Sequence, residues 1–139
     1  MILLLLGFGS IGKRHIKVLK KLNMFKTIYV YSKQKLPLNI KKCKSLSEVK
    51  RINPDYVIIS SPTNKHYDQL KYLNKNLKNK KILVEKPIFH KSLKLKKINN
   101  KIYVGYNLRF HPVIQKLRNL TFRKKIISVN SICFSNLKD

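Results

Sequence analysis

The chain opens with a run of apolar residues, Ile2-Leu3-Leu4-Leu5-Leu6, and then breaks into Gly7-Phe8-Gly9-Ser10-Ile11-Gly12. A run without polar alternation fits a strand buried on both faces, because a one-sided strand would show every second side chain to water. Behind the glycines, Ile11, His15, Val18, Leu19 and Leu22 recur at helical spacing, with Lys13, Arg14, Lys17, Lys20 and Lys21 facing away. Strand, glycine turn and helix is the context in which G-x-G-x-x-G spacing implies dinucleotide binding. Gly7 would allow the tight turn, Gly9 would let a pyrophosphate reach the backbone, and Gly12 would let helix and strand pack closely. The phosphates would sit on free N–H groups of the first helical turn, at the positive end of the helix. Gly7, Phe8, Gly9, Ser10, Ile11 and Gly12 are therefore candidate cofactor residues. The competing reading is a glycine-rich turn with no ligand.

Down the chain, further strands alternate with helices. Thr27-Ile28-Tyr29-Val30-Tyr31 is rich in β-formers. The acidic residue expected at its end, which would bind the adenosine ribose, is replaced by Ser32, followed by Lys33, Gln34 and Lys35. A carboxylate would repel a 2′-phosphate, whereas a hydroxyl and an ammonium would bind one, so Ser32 and Lys33 lean toward NADP(H) over NAD(H). After a polar connection and a short strand near Ile40 to Cys43, Ser45-Leu46-Ser47-Glu48 has capping-box spacing, and Asn53-Pro54 should stop that helix. Asp55 to Ile59 is the next strand. It empties into Ser60-Ser61-Pro62-Thr63-Asn64, ahead of a helix with His66, Leu70, Leu73 and Leu77 on one face. Lys81 to Pro87 is a strand ending in charge, Ser92 to Ile98 a short helix, and Ile102 to Tyr106 another strand. Pro112 falls at a first helical position, and Ile126 to Phe134 has the pattern of a further strand.

This alternation predicts an α/β fold, a parallel sheet wound on both faces, with residues 1–120 as the nucleotide-binding domain. Ligands of such sheets bind beyond the carboxyl ends of the strands. That rule puts Gly7–Gly12, Ser32–Lys35, Ser60–His66 and Glu85–Pro87 on one rim.

The length of 139 residues allows one domain with a real core. The net charge of +27 invites a nucleic-acid partner. Yet lysine far outnumbers arginine, alanine is absent, and the lysines are scattered over every predicted helix, as an A+T-rich gene would produce; a binder would gather them in a patch. Cys43 and Cys133 lack C-x-x-C spacing and ligand-like partners, which predicts no metal site and a reducing, cytoplasmic setting. No stretch is long enough to cross a bilayer, so a soluble protein without a membrane partner is expected.

The rim segments together resemble the Gfo/Idh/MocA family of nicotinamide-dependent oxidoreductases. The resemblance rests on Gly7–Gly12 with His15, Ser61-Pro62-Thr63-Asn64 with His66, Val84-Glu85-Lys86-Pro87-Ile88, and Val104 to Phe110. It implies a Rossmann domain holding NAD(P), completed by a C-terminal domain built on a large antiparallel sheet. It also implies hydride transfer at a carbinol or carbonyl carbon of sugars, cyclitols and related compounds. On this resemblance Lys86 is the catalytic candidate, an ammonium beside the nicotinamide and the reacting oxygen. Ser60, Ser61, Pro62, Thr63, Asn64, His66, Glu85, Lys86 and Pro87 join the cofactor set, and Lys86–Pro87 is expected to be cis. His66 remains a core residue or a cofactor neighbour, and His15 a packing residue. Tyr106, Asn107 and Arg109 are placed either against substrate or at a hinge.

The family is longer. Its Asp and His of the second domain have no counterpart here, and residues 121–139 would be only the beginning of that α+β domain, through whose missing remainder any homo-oligomer would form. A fragment, a truncated product or half of a split protein would each explain this. The expectation is a chain that binds dinucleotide and turns over no substrate alone. Its competitors are a non-catalytic redox-sensing module and a basic nucleic-acid binder.

Overall fold

The computed structural model describes residues 1–95, 98–130 and 132. Contacts divide the chain into two units, Met1–Tyr106 and Asn107–Asp139. The first contains β1 (Ile2–Leu6), α1 (Ser10–Lys21), β2 (Thr27–Tyr31), β3 (Lys41–Lys42), α2 (Val49–Ile52), β4 (Tyr56–Ile59), α3 (His66–Asn76), β5 (Lys81–Val84) and β6 (Lys101–Val104). Single 3-10 turns, Leu46–Glu48 and Thr63–Lys65, lead into α2 and α3. All strand pairs are parallel, in the order β3-β2-β1-β4-β5-β6. The order reverses at β1, so the crevice between the ends of β1 and β4 is the topological switch point of a doubly wound sheet.

The opening leucines explain themselves in this position. Leu3, Leu4, Leu5 and Leu6 are all fully buried, Leu4 and Leu6 against the cluster under α2 and α3, Leu3 and Leu5 against the cluster that includes Ile16 of α1. A strand covered on both faces has no polar position to offer.

Three local expectations are corrected. The inward face of α1 runs through Gly12 and Ile16 with His15 and Leu19 half-buried, whereas Ile11, Val18 and Leu22 are exposed. The close seat of Gly12 fixes the rotation of the helix, and that rotation carries Ile11 and Val18 outward. Ser45 does not cap; its hydroxyl bonds Ser47 Oγ, while Glu48 Oε2 accepts the N–H of Lys44 at 3.1 Å. Over Ser92–Leu95 and Ile98 there is no helix, and Lys96 and Lys97 of that span lie outside the described residues: Phe89 meets Tyr67 of α3 edge-on at 5.3 Å and Leu95 packs on the α3-side core, so irregular backbone already seats these two.

The second unit contains the 3-10 turn Asn107–Phe110 and α4 (Pro112–Thr121), with Pro112 in the first turn and His111 Nδ1 accepting the N–H of Val113 at 3.3 Å. The unit boundary falls after Tyr106, and α4 packs on the turn that precedes it. Residues 126–130 form no strand, and Ser131 and Cys133–Phe134 of that predicted strand lie outside the described residues. Among the described residues no helix is long and apolar enough to cross a membrane.

Candidate functional site: a glycine cradle at the switch point

Gly7 has φ +93°, a left-handed value that side chains resist. A Cβ on it would also stand 2.5 Å from Ser61 N and 2.7 Å from the Ser60 carbonyl. A Cβ on Gly12 would collide with the Gly7 carbonyl oxygen and reach 3.0 Å from Ser60 Oγ. Gly9 differs: a Cβ there would meet nothing within 4 Å. Two glycines are thus required by the protein's own packing, and the middle one opens onto empty space. The first helical bond runs from Lys13 N–H to the Gly9 carbonyl at 2.9 Å, so the N–H groups of Ser10, Ile11 and Gly12 precede the ladder. No side chain caps them and no acidic residue lies in the first turn. An anion fits this end of α1.

The turn faces a cleft of about 1020 Å³. Of the sequence-derived candidates, Gly7, Phe8, Gly9, Ser10, Ile11, Ser32, Lys33, Ser60, Ser61 and Pro62 line it. Gly12, Thr63, Asn64, His66, Glu85, Lys86 and Pro87 do not. Gly12 is buried beneath the turn, and Thr63 and Asn64 form the 3-10 turn before α3. His66 is 1% exposed, its Nε2 2.8 Å from the Ser61 carbonyl and its Nδ1 3.1 Å from the Pro87 carbonyl, so it fills the space between two rim loops, and the one N–H of the neutral ring can donate to either. Glu85 lies past the end of β5, with Oε1 2.7 Å from His15 Nε2, which gives His15 a specific partner beyond packing. Lys86 is exposed at the same carboxyl edge of the sheet, and its bond to Pro87 is cis.

The Ser32 hydroxyl accepts the N–H of Gln34 at 3.1 Å, turning the chain at the end of β2. The cleft is more basic than acidic: Lys33, Lys42, Lys44 and Lys65 line it with one carboxylate, Asp68. Lys42 and Lys44 were not singled out from sequence, since nothing distinguishes them among so many lysines. Lys65, Asp68, Gln69 and Tyr72 carried a usable signal, a 3-1-3 spacing that puts the last three on one face of α3 and Lys65 in the turn just ahead of it. Between the two β3-side lysines, Cys43 is buried, and burial, reinforced by the nearby charge of Glu48, pushes its thiol up to about 11. Among the described residues no group of three His, Cys, Asp or Glu is placed to hold a metal ion.

A parallel sheet in this order, with a glycine cradle at its switch point, defines a dinucleotide-binding Rossmann domain. Residues 2–102 match the family model described as "Oxidoreductase family, NAD-binding Rossmann fold", and the chain belongs to that Gfo/Idh/MocA family. Similar solved structures include the WlbA dehydrogenase of Chromobacterium violaceum in complex with NADH and UDP-GlcNAcA (18% identity, TM-score 0.70, covering 87% of this chain and 39% of that one). A probable dehydrogenase of Thermotoga maritima is 26% identical, with TM-score 0.68, covering 87% of this chain and 40% of that one. The WlbA (WbpB) dehydrogenase of Thermus thermophilus, in complex with NAD and UDP-GlcNAcA, is 20% identical, with TM-score 0.67, covering 90% and 48%. The chain thus spans less than half the length of each of these structures. No curated protein matches it.

Proposed function

We propose that this chain is the cofactor-holding part of an oxidoreductase that moves hydride between a nicotinamide dinucleotide, NADP(H) in preference to NAD(H), and a sugar, cyclitol or related hydroxy or keto compound. The observation that carries the reading is the contrast between the three glycines. Packing accounts for Gly7 and Gly12, while Gly9 keeps a side-chain-free approach to the open N-terminus of α1. A bound dinucleotide supplies the hydride. The chain's own part is to hold the pyrophosphate on the N–H groups of the first turn of α1 and the adenosine end near Ser32 and Lys33. Lys86 donates from its ammonium to the substrate oxygen whose charge changes during transfer, and the bond from His15 to Glu85 steadies the adjoining backbone. The substrate class rests on the family and on the sugar nucleotide bound in similar structures, and a sugar nucleotide is the member of that class we favour.

Titration of the purified chain with NADH and NADPH, followed by nicotinamide fluorescence, tests the proposal. Saturable binding of both, tighter for NADPH, is expected. Absence of saturable binding of both removes the reading.

A further inference from the structure

The basic end of the cleft extends beyond the turn after β2, onto the edge strand. In the parallel register Lys41 pairs with Tyr29 and Lys42 with Val30, and the ladder continues with Cys43 N–H donating to the Val30 carbonyl at 2.9 Å. Paired residues share a face of the sheet and successive ones alternate. Lys41 accordingly stands over Tyr29, its ammonium 5.8 Å from the ring centroid, and Cys43 enters the core cluster that Tyr29 and Tyr31 pack against. Lys42, just before Cys43, is left on the face of Val30, and Lys44 follows Cys43 past the end of the strand. Both are exposed and both line the cleft with Ser32 and Lys33.

The carboxylates nearby do not neutralise this pair. Glu48 is engaged behind it, accepting the Lys44 N–H at 3.1 Å and standing 3.7 Å from Arg51 Nη2. Asp68 of α3 lines the same cleft, but as one carboxylate against four lysines, Lys33, Lys42, Lys44 and Lys65. The end of β2 has no acidic residue to accept from a ribose hydroxyl.

We infer that Lys42 and Lys44 complete a 2′-phosphate site with Ser32 and Lys33, so that cofactor choice is set from the β3 edge as well as from the turn after β2. The inference rests on the dinucleotide reading above. A phosphate monoester carries close to two negative charges and three acceptor oxygens at neutral pH, enough to engage several ammonium groups at once. The 2′-hydroxyl of NAD(H) offers them neither charge nor comparable acceptors.

The test is calorimetric titration of the 139-residue chain with NADPH, NADH, adenosine 2′,5′-bisphosphate and AMP at one fixed salt concentration. Wild type is compared with Lys42→Gln, Lys44→Gln, the double variant, and Lys20→Gln on the outer face of α1 as a control for net charge. Each cleft substitution should lower the NADPH-to-NADH affinity ratio about tenfold, the factor expected for losing one charge-assisted contact. NADH affinity should stay within about twofold, which also reports that the variants are folded, and the control should leave the ratio unchanged. The bisphosphate-to-AMP ratio should fall in parallel. A double variant that keeps the wild-type ratio overturns the inference and leaves the dinucleotide reading standing. So does a wild-type chain that binds NADH as tightly as NADPH, with the NADP(H) preference lost as well. If wild type binds none of the four, both readings fall together.

Discussion

Substituting alanine for each glycine of the cradle in turn separates folding from binding, because the three positions meet different surroundings. At Gly7 the left-handed φ of +93° costs an alanine roughly 1–2 kcal/mol. Its methyl would also press on the backbone of Ser60 and Ser61, which cannot swing aside, adding about 1–3 kcal/mol of overpacking. The sum, about 2–5 kcal/mol, is a large share of the 5–15 kcal/mol typical of a domain. At Gly12 the intrinsic helix preference for alanine gains about 1 kcal/mol, but the methyl meets the Gly7 carbonyl, and overpacking of about 1–3 kcal/mol wins. Gly9 has a φ of −71° and open space around its missing side chain. There the loss of a glycine N-cap and the gain from a stiffer unfolded chain offset each other to within about 1 kcal/mol. Urea unfolding should therefore rank the variants as Gly7→Ala, Gly12→Ala, Gly9→Ala, with the last close to wild type. Dinucleotide titration should single out Gly9→Ala, folded yet binding roughly tenfold to a hundredfold more weakly, because its methyl occupies the phosphate's approach to the N–H groups. A Gly9→Ala chain that binds NADPH as tightly as wild type would refute the cradle.

His15→Leu removes the 2.7 Å contact to Glu85 while keeping the bulk of the side chain, and should cost about 1 kcal/mol in urea unfolding for a half-exposed pair; an unchanged midpoint would show the contact to be incidental. The Cys43 thiol, pushed from 9.0 to about 11, contributes stability fully below pH 9 and loses it as pH rises through 11, so the stability gap between wild type and Cys43→Ala should narrow over that window. A gap that is flat with pH would contradict the burial of the thiol. His66→Phe removes the ring N–H that one of the Ser61 and Pro87 carbonyls accepts, at about 1–3 kcal/mol for the group left poorly satisfied, and a shift in thermal midpoint under about 2 °C would show that bond to be dispensable.

The elements with an all-or-none signal were legible in the sequence. An unbroken leucine run admits little besides a doubly covered strand, and the glycine spacing placed the turn where the structure has it. Less legible was anything decided by how two elements meet. Helical spacing in α1 gives a stripe through Ile11, His15, Val18, Leu19 and Leu22, of which His15 and Leu19 are half-buried, but the close approach of Gly12 to the Gly7 carbonyl sets the helix rotation and turns the other three outward. Capping-box spacing at Ser45 is real, yet a 3-10 start leaves Glu48 reaching Lys44 in place of the cap residue. Lys42 and Lys44 were invisible for a compositional reason: in a chain with 32 Lys and Arg, a cleft lysine looks like every other until the fold brings it to the cleft.

Register also explains why the rim is a site and not a set of independent loops. The ladder does not stop where the strands do. Gly7 N–H bonds the Tyr31 carbonyl at 3.0 Å, Ser60 N–H the Leu6 carbonyl at 2.8 Å, Glu85 N–H the Ile59 carbonyl at 2.9 Å, and Gly105 N–H the Val84 carbonyl at 2.8 Å. Each residue just past a strand end is thus hydrogen-bonded to the last residue of its neighbour, and Gly7, Ser60, Glu85 and Gly105 hold one level across four strands. A side chain ties the same level: Ser60 Oγ donates to the Gly7 carbonyl at 3.0 Å. A displacement at one end of this row must break inter-strand bonds to occur. The glycine cradle and the Glu85–Lys86 corner are therefore positioned by the same backbone bonds that form the sheet, and the loops beyond them are left free to shape what binds.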